Sequence, residues 1–399
     1  MTHSGQVTVN GEVMIVAGEA SGDLHGANLV RAMRELSPGL RFYGMGGSEL
    51  MRAGVEMLYD AAKLAVVGAV EVLSHLHDIL RARRILIAHL KHRRPSLLIL
   101  IDYPDFNLML AKIAKQLGIP VFYYISPQVW AWRSGRVHTI RQRTDRMAVI
   151  LPFEQAFYAG YGVQVDFVGH PLLDSIKPKL TPAEFKTQHR IDPQRPVIGL
   201  IPGSRRKEVA ALLPDFLAAA ELLASAQPPP VFLLAQAPTI DTSFLKENGL
   251  ETWQERLDLR VITEDRYAMM AACDVAVAAS GTVTLELAIL NIPTVAAYRI
   301  SPHTYWLGRL LIRKIRFFTL VNLIAEQAVL PELLQRQVTP ERLAQEVSTL
   351  LNNAQARSNM LTGLDKVRRR LGGPGASHRA AAIALSLLKT PKCHNGHQP

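Results

Sequence analysis

The chain has 399 residues, 48% hydrophobic and 20% charged, and its 45 Lys and Arg against 34 Asp and Glu give a formal charge of +11. That length exceeds one ordinary core and predicts two domains, while the apolar fraction excludes a disordered or fibrous protein. Two cysteines, Cys273 and Cys393, exclude a disulfide framework and a four-cysteine zinc site, and the basic balance points to an anionic partner: nucleic acid, phospholipid headgroups or a phosphorylated substrate.

The N-terminal stretch has no basic region ahead of an apolar one, so secretion is not expected. Nor does any run of about 18 uninterrupted apolar residues predict a membrane-spanning helix. The first predicted strand, 13–17 (VMIVA), ends in Gly18-Glu19-Ala20-Ser21-Gly22-Asp23 and a helix follows. Small residues let the backbone approach a ligand there, and the helix start offers unpaired N–H groups. The stretch is neither GxGxxG nor a Walker A loop, which speaks against a dehydrogenase or an NTPase. Read alone, it is a tight turn with Ser21 or Asp23 as helix cap.

Residues 64–80 place Val66, Val67, Val70, Leu73 and Leu80 at helical spacing, followed by Arg81, Arg83, Arg84, Lys91, Arg93 and Arg94. An apolar face beside a basic one fits an interfacial helix on anionic lipid, or a core helix with a solvated basic face. The strand 97–102 (LLILID) leads into Asp102-Tyr103-Pro104-Asp105-Phe106-Asn107. Two carboxylates three residues apart at a strand end can divide helix capping and general-base work between them, with Pro104 suited to the first helical turn. The strand 121–126 (VFYYIS) ends in Ser126-Pro127-Gln128-Val129-Trp130-Ala131-Trp132-Arg133, whose paired indoles suit sugar rings, acyl chains or a core aromatic pair. Strands at 146–151 and 165–169 complete the first series, which closes on His170, a site candidate at the predicted domain junction near Pro171. The proline- and charge-rich stretch after it reads as a linker.

A second series follows, with strands at 197–202, 231–236, 260–263, 274–280 and 293–298. Near-continuous apolar strands alternating with helices predict an α/β protein: two Rossmann-like, doubly wound parallel sheets with a cleft between the domains. Domains are expected over 1–171 and 172–371, with a terminal helix and tail over 372–399 packing back on the first. Pro202-Gly203-Ser204-Arg205 opens a helix with two N–H groups and a guanidinium fork, a fit to a diphosphate. Ser280-Gly281-Thr282 has the same construction, with Ser280 and Thr282 as helix caps and phosphate donors, and Glu286 one turn later can accept both hydroxyls of a ribose. Two anion-ready helix starts in one domain point to a nucleoside diphosphate. A second amphipathic segment, 303–318, carries Arg309, Arg313 and Arg316 on one stripe, and from Leu287 to Ala325 there is no acidic residue. The histidines show no metal-ligand spacing and no GxSxG elbow is present, so neither a metal site nor a serine hydrolase is expected.

Taken together, Ala17–Asp23, Pro104–Asn107, Ser126–Arg133, Phe167–Pro171, Pro202–Arg205 and Ser280–Thr282 resemble lipid-A-disaccharide synthase, an inverting glycosyltransferase family of the two-domain GT-B type. The stretches stand in the family's order, and Trp-Ala-Trp-Arg is the most specific of them. Tyr103 departs from the family's usual Ala, and Gln128 from its frequent Ser. The resemblance implies condensation of UDP-2,3-diacylglucosamine with 2,3-diacylglucosamine 1-phosphate (lipid X), giving a β-1,6-linked disaccharide 1-phosphate and UDP. It implies Asp105 as the base on the acceptor hydroxyl, with Asp102 second. Arg205 and the helix at Gly281 would hold the leaving UDP and Glu286 the ribose. Glu19, Ser21, Gly22, Asn107, Trp130, Trp132, Arg133, Asn322 and Gln335 join the substrate residues. It further implies no cofactor or bound metal, a cytoplasmic enzyme lying against the anionic inner-membrane leaflet, and a domain-swapped homodimer. A UDP-GlcNAc 2-epimerase shares the fold and nucleotide loops and is the alternative; a nucleic-acid module would need base-stacking aromatics interleaved with the basic runs, but the aromatic pair Trp130 and Trp132 lies at a strand-end loop instead.

Overall fold

The computed structural model describes residues 10–64, 72–132, 134–299 and 316–389. The chain divides into two compact units, one running to Pro171 and resuming at Gly372, the other spanning Leu172–Leu371.

The first unit is built on seven parallel strands: β1 (Gly11–Ala17), β2 (Leu40–Gly46), β3 (Glu56–Asp60), β4 (Leu97–Ile101), β5 (Val121–Tyr124), β6 (Arg146–Val149) and β7 (Asp166–Phe167). Their order is β3-β2-β1-β4-β5-β6-β7. The pattern follows from strand chemistry, because an apolar run without alternation must be covered on both faces. In β1, Val13, Ile15 and Ala17 face one core with the helices Ala20–Leu36 and Ala376–Lys389, whereas Met14 and Val16 face the other with Val72–Arg93 and Pro104–Gln116. Gly44 in β2 has a φ of +154°, and a Cβ there would lie 1.8 Å from the carbonyl oxygen of Ile15. The register between β2 and β3 shifts at that point.

The second unit holds six parallel strands: β8 (Val197–Ile201), β9 (Val231–Ala235), β10 (Leu259–Ile262), β11 (Val275–Ala279), β12 (Thr294–Tyr298) and β13 (Glu332–Leu334). They run in the order β10-β9-β8-β11-β12-β13. The stretch after Pro171 is not a linker. It contains the helices Leu172–Ser175 and Pro182–Gln188, the latter started by a reciprocal pair in which Glu184 N–H donates to Thr181 Oγ1 and Thr181 N–H to Glu184 Oε2. Phe185, 1% exposed, anchors it in the second unit's core.

In both sheets the strand order reverses once, between β1 and β4 and between β8 and β11. At such switch points the loops beyond the carboxyl ends of the two strands diverge and leave room for a ligand. Those four loops are Gly18–Ser21, Asp102–Pro104, Pro202–Arg205 and Ser280–Thr282. Among the described residues, no helix is long and apolar enough to cross a membrane.

Candidate functional site

At the first unit's switch point, the helix Ala20–Leu36 begins with Glu19 in the capping position and no side-chain cap. Asp23 does not cap its own helix. It is 6% exposed and accepts the N–H groups of Gly47 (2.7 Å), Glu49 (2.9 Å) and Leu50 (3.1 Å), closing the start of the helix Ser48–Arg52. Ser21 is exposed beside it, and Gly22 is buried against Ile101.

The opposite loop is strained. Asp102 and Tyr103 both take left-handed backbone conformations, with φ of 44° and 46°, each costing about 1–3 kcal/mol for a residue with a side chain. Local bonds hold them there. Asn107 Nδ2 donates to the carbonyls of Ile101 (3.0 Å) and Asp102 (2.7 Å), and the Tyr123 hydroxyl donates to the Asp102 carbonyl as well. Asn107 is fully buried; its amide nitrogen fastens this loop, while its Oδ1 has no hydrogen-bond partner. Tyr103 lies over Gly18, where a Cβ would stand 2.4 Å from the ring; the two loops of the switch point therefore touch, and the glycine makes that possible.

The two aspartates differ in surroundings. Burial, reinforced by the nearby Glu19 carboxylate and opposed by the Tyr103 N–H, pushes Asp102 up to about 6. Asp105 has a side chain 76% exposed and is paired with Arg136. His170 is buried, and burial together with His25 holds it down at about 3. His25, held near 4 by burial, leaves its Nδ1 without a hydrogen-bond partner. Both imidazoles are thus neutral and weakly basic at neutral pH. Trp130 is half-buried, edge-on to Phe153 at 4.9 Å and 82°, and Trp132 ends the helix Val129–Trp132.

At the second unit's switch point, Gly203 has a φ of 116° and the Glu208 carboxylate lies over it; a Cβ would come within 2.0 Å of Oε2. Glu208 also accepts the Ser204 N–H at 3.1 Å, and Arg205 stands exposed in the capping position of the helix Arg206–Leu223. Across the switch, Gly281 is the capping residue of Thr282–Ile289, with no side-chain cap. Ser280 and Thr282 therefore do not cap it; Thr284 Oγ1 donates to the Gly281 carbonyl at 2.8 Å. Glu286 is 5% exposed, and its Oε1 accepts from Arg266 (2.8 Å) and the Tyr267 hydroxyl (3.3 Å). Burial raises its pKa against the pull of Arg266.

Asn322 departs from expectation. At 1% exposure, its Nδ2 donates to the Leu330 carbonyl and Glu332, and its Oδ1 accepts from the Val329 and Leu330 N–H groups. All four bonding positions of the amide are occupied, so it fastens a turn. Gln335 follows β13 with a left-handed φ of 53°. Val66, Val67, Val70, Arg133, Arg309 and Arg313 lie outside the described residues, and Leu73 falls on the helix Val72–Arg93. Sequence reasoning missed His25, Arg136, Arg266 and Tyr267. For the last two a signal existed, an Arg-Tyr pair just beyond the strand end at 263, but that loop carries no small-residue motif.

A family model described as lipid-A-disaccharide synthetase matches residues 13–386. This chain belongs to that family. The lipid-A-disaccharide synthase of Nitrosococcus oceani is 48% identical over 379 residues, covering 94% of this chain and 96% of that protein. As a family member the chain is a glycosyltransferase. Solved structures resemble it at lower identity: MurG of Acinetobacter baumannii, with a TM-score of 0.59 and 14% identity over 94% of this chain and 99% of that one. The UDP-GlcNAc 2-epimerase of Neisseria meningitidis, bound to UDP-GlcNAc, has a TM-score of 0.59 and 10% identity over 94% and 99%. Those two likenesses speak for the shared GT-B fold alone, and they leave the epimerase alternative at that level.

Proposed function

We propose that the chain transfers the diacylglucosaminyl group of UDP-2,3-diacylglucosamine to the 6-hydroxyl of lipid X, forming a β-1,6 disaccharide 1-phosphate and releasing UDP. Family membership supports the reaction class. The observation that carries the residue roles is Asp102, a half-buried carboxyl with a raised pKa, on a loop whose Asp102 backbone carbonyl is held by Asn107 and Tyr123 at a switch point. Acids and bases tuned towards neutrality by burial are suited to proton transfer. We therefore give Asp102 the base role ahead of Asp105, whose exposed carboxylate is held by Arg136.

In this reading Asp102 takes the proton of the acceptor hydroxyl as its oxygen attacks the anomeric carbon. The bond to the β-phosphate oxygen breaks on the opposite face, inverting that carbon, and both electrons leave with UDP. Arg205 and the helix start at Thr282 take up the charge on the departing diphosphate, while Glu286 holds the ribose after exchanging Arg266 for sugar hydroxyls. Glu208 occupies the Ser204 N–H and must yield it if that amide is to meet a phosphate. Trp130 and Trp132 cover the acceptor sugar or its acyl chains.

The scheme uses no resident metal, and turnover should survive EDTA. Peripheral binding to the anionic cytoplasmic leaflet through 64–94 and 303–316 belongs to the same proposal, as does a homodimer by domain swapping. Co-sedimentation with vesicles of anionic against zwitterionic lipid, and sedimentation velocity, decide these. The central test is incubation with both substrates and mass spectrometry of the products. Absence of the disaccharide, or conversion of UDP-GlcNAc alone to its 2-epimer, refutes the reading.

A further inference from the structure

The amino ends of β8 and β11 border a cleft that no step above uses. It lies within the second unit, has a volume of about 320 Å³, and is lined by Lys186, Pro193, Gln194, Asp274, Leu351 and Arg357. That volume suits a small organic ligand. The loops Pro202–Arg205 and Ser280–Thr282 leave the carboxyl ends of the same two strands. Five residues of β8 span about 17 Å, so the cleft is separate from the switch point.

Its charges are unevenly matched. Arg195, in the same wall, is committed: Nε donates to the Pro229 carbonyl (2.8 Å), Nη2 to that of Pro230 (3.1 Å) and Nη1 to the Asp258 carboxylate (2.7 Å). Lys186 and Arg357 are less so. The Lys186 side chain is 17% exposed, and its ammonium stands 3.8 Å from Asp274 Oδ2, outside hydrogen-bonding reach. That oxygen accepts the Val197 N–H at 2.8 Å, which fixes it at the strand ends. Arg357 spends one N–H on the Asp274 carbonyl at 2.8 Å, and no carboxylate pairs with its guanidinium among the described residues. It stands in the first turn of the helix Ala354–Arg370, whose positive pole adds to the same field. Both cations are tethered to one residue, which brings them together against a single carboxylate. A largely buried ammonium with no hydrogen-bond acceptor leaves its desolvation cost unanswered, and an anion in the cleft would answer it.

We infer that this cleft binds a small phosphate monoester. An ammonium and a guanidinium fork are the donors that a phosphate dianion takes best. Asp274 and Gln194 can meet hydroxyls on the organic part, while Pro193 and Leu351 give its carbons an apolar wall.

The test is calorimetry on the full chain, with glycerol 3-phosphate as probe, glycerol as control and saturating UDP in the donor site. Glycerol 3-phosphate should bind and glycerol should not. Lys186→Met should weaken that binding about tenfold or more, the range for losing a charge-assisted contact. Arg357→Gln, which keeps an N–H for the Asp274 carbonyl, should do the same, and UDP affinity should stay within about twofold in both. Lys246→Met removes an equal charge from the helix Thr242–Glu247 and should leave probe affinity within about twofold. Absence of binding to the parent chain overturns the proposal. So does an equal loss in Lys246→Met, which marks general attraction to a basic chain. A loss in Arg205→Ala with Lys186→Met silent puts the probe in the donor site and overturns it too. Dihexanoyl phosphatidic acid, below its micellar concentration, separates the sources of the phosphate. Tighter binding than glycerol 3-phosphate, lost in the same two variants, assigns the cleft to a lipid headgroup; weaker binding assigns it to a soluble ester. Should Arg357→Gln fail to fold, Lys186→Met carries the test alone, because its ammonium has no hydrogen bond to lose.

Discussion

Replacing Asp102 with Asn should abolish turnover and stabilise the protein at the same time. Asn is isosteric, tolerates the left-handed φ of 44° better than most residues, and can still accept the Tyr103 N–H. The folded state raises this carboxyl from 3.8 to about 6, a little over two pH units at about 1.4 kcal/mol each. Allowing for its partial exposure, the ionised group costs about 2–3 kcal/mol of folding free energy. The sign follows from proton linkage. Below pH 3.8 both states are protonated and nothing is lost. Between 3.8 and 6 the folded chain keeps a proton that the unfolded chain releases, so stability falls as pH rises; above about 6 the full cost is present. The Asp102→Asn substitution removes the cost, so urea unfolding at pH 8 should show a gain of about 2–3 kcal/mol that vanishes near pH 4. The rate should fall by roughly 10²–10⁴, the usual contribution of a positioned base. In the parent enzyme kcat/KM should decline as pH falls through about 6. A variant that keeps its turnover, or gains no stability at pH 8, refutes both the base role and the burial cost.

Asp105→Asn frees Arg136 but leaves Asp102 in place; turnover should fall less than about tenfold in the same assay, and a loss matching that of Asp102→Asn would return the base role to Asp105. Arg205→Ala should weaken UDP about ten- to a hundredfold by calorimetry, the range for a charge-assisted contact to phosphate. Glu286→Gln should erase the preference for UDP over 2′-deoxy-UDP, read as the ratio of the two dissociation constants, because a neutral amide is the weaker ribose acceptor. Asp23→Ala strands three N–H groups and should cost about 3 kcal/mol in chemical unfolding, leaving UDP affinity unchanged.

The four switch-point loops were legible because each follows an apolar strand and carries a helix-start composition, and the sheet order brings them together in pairs. Other features left no local trace. β2 was missed because Gly44 and Gly46 break its apolar run, and β13 because three residues are too few to show a period. Asp23 reads as a cap for its own helix, but its partners stand 24 to 27 positions away. Asp102 and Asp105 are equivalent as letters; only burial and the left-handed backbone part them. Asn322 looked like a ligand residue, yet every bonding position of its amide is used by the turn beside it.

The helix Ala376–Lys389 buries Ala380, Ala381, Ala384 and Leu385 against β1 and β4, strands made at the opposite end of the chain. During synthesis that face of the sheet has only the helix Ala20–Leu36 as cover until this later helix leaves the ribosome, long after the second unit's strands have been made. Leu97 of β4, Phe122 of β5 and Ala148 of β6, on the part of the face that it covers, wait until then without it. The nascent protein is for that interval a client for chaperones, and the second unit is free to fold before the first is complete. Premature termination after residue 371 would release a chain whose nucleotide half is whole and whose acceptor half is unsealed. Such a product should be cleared by proteolysis and not accumulate as a partial enzyme.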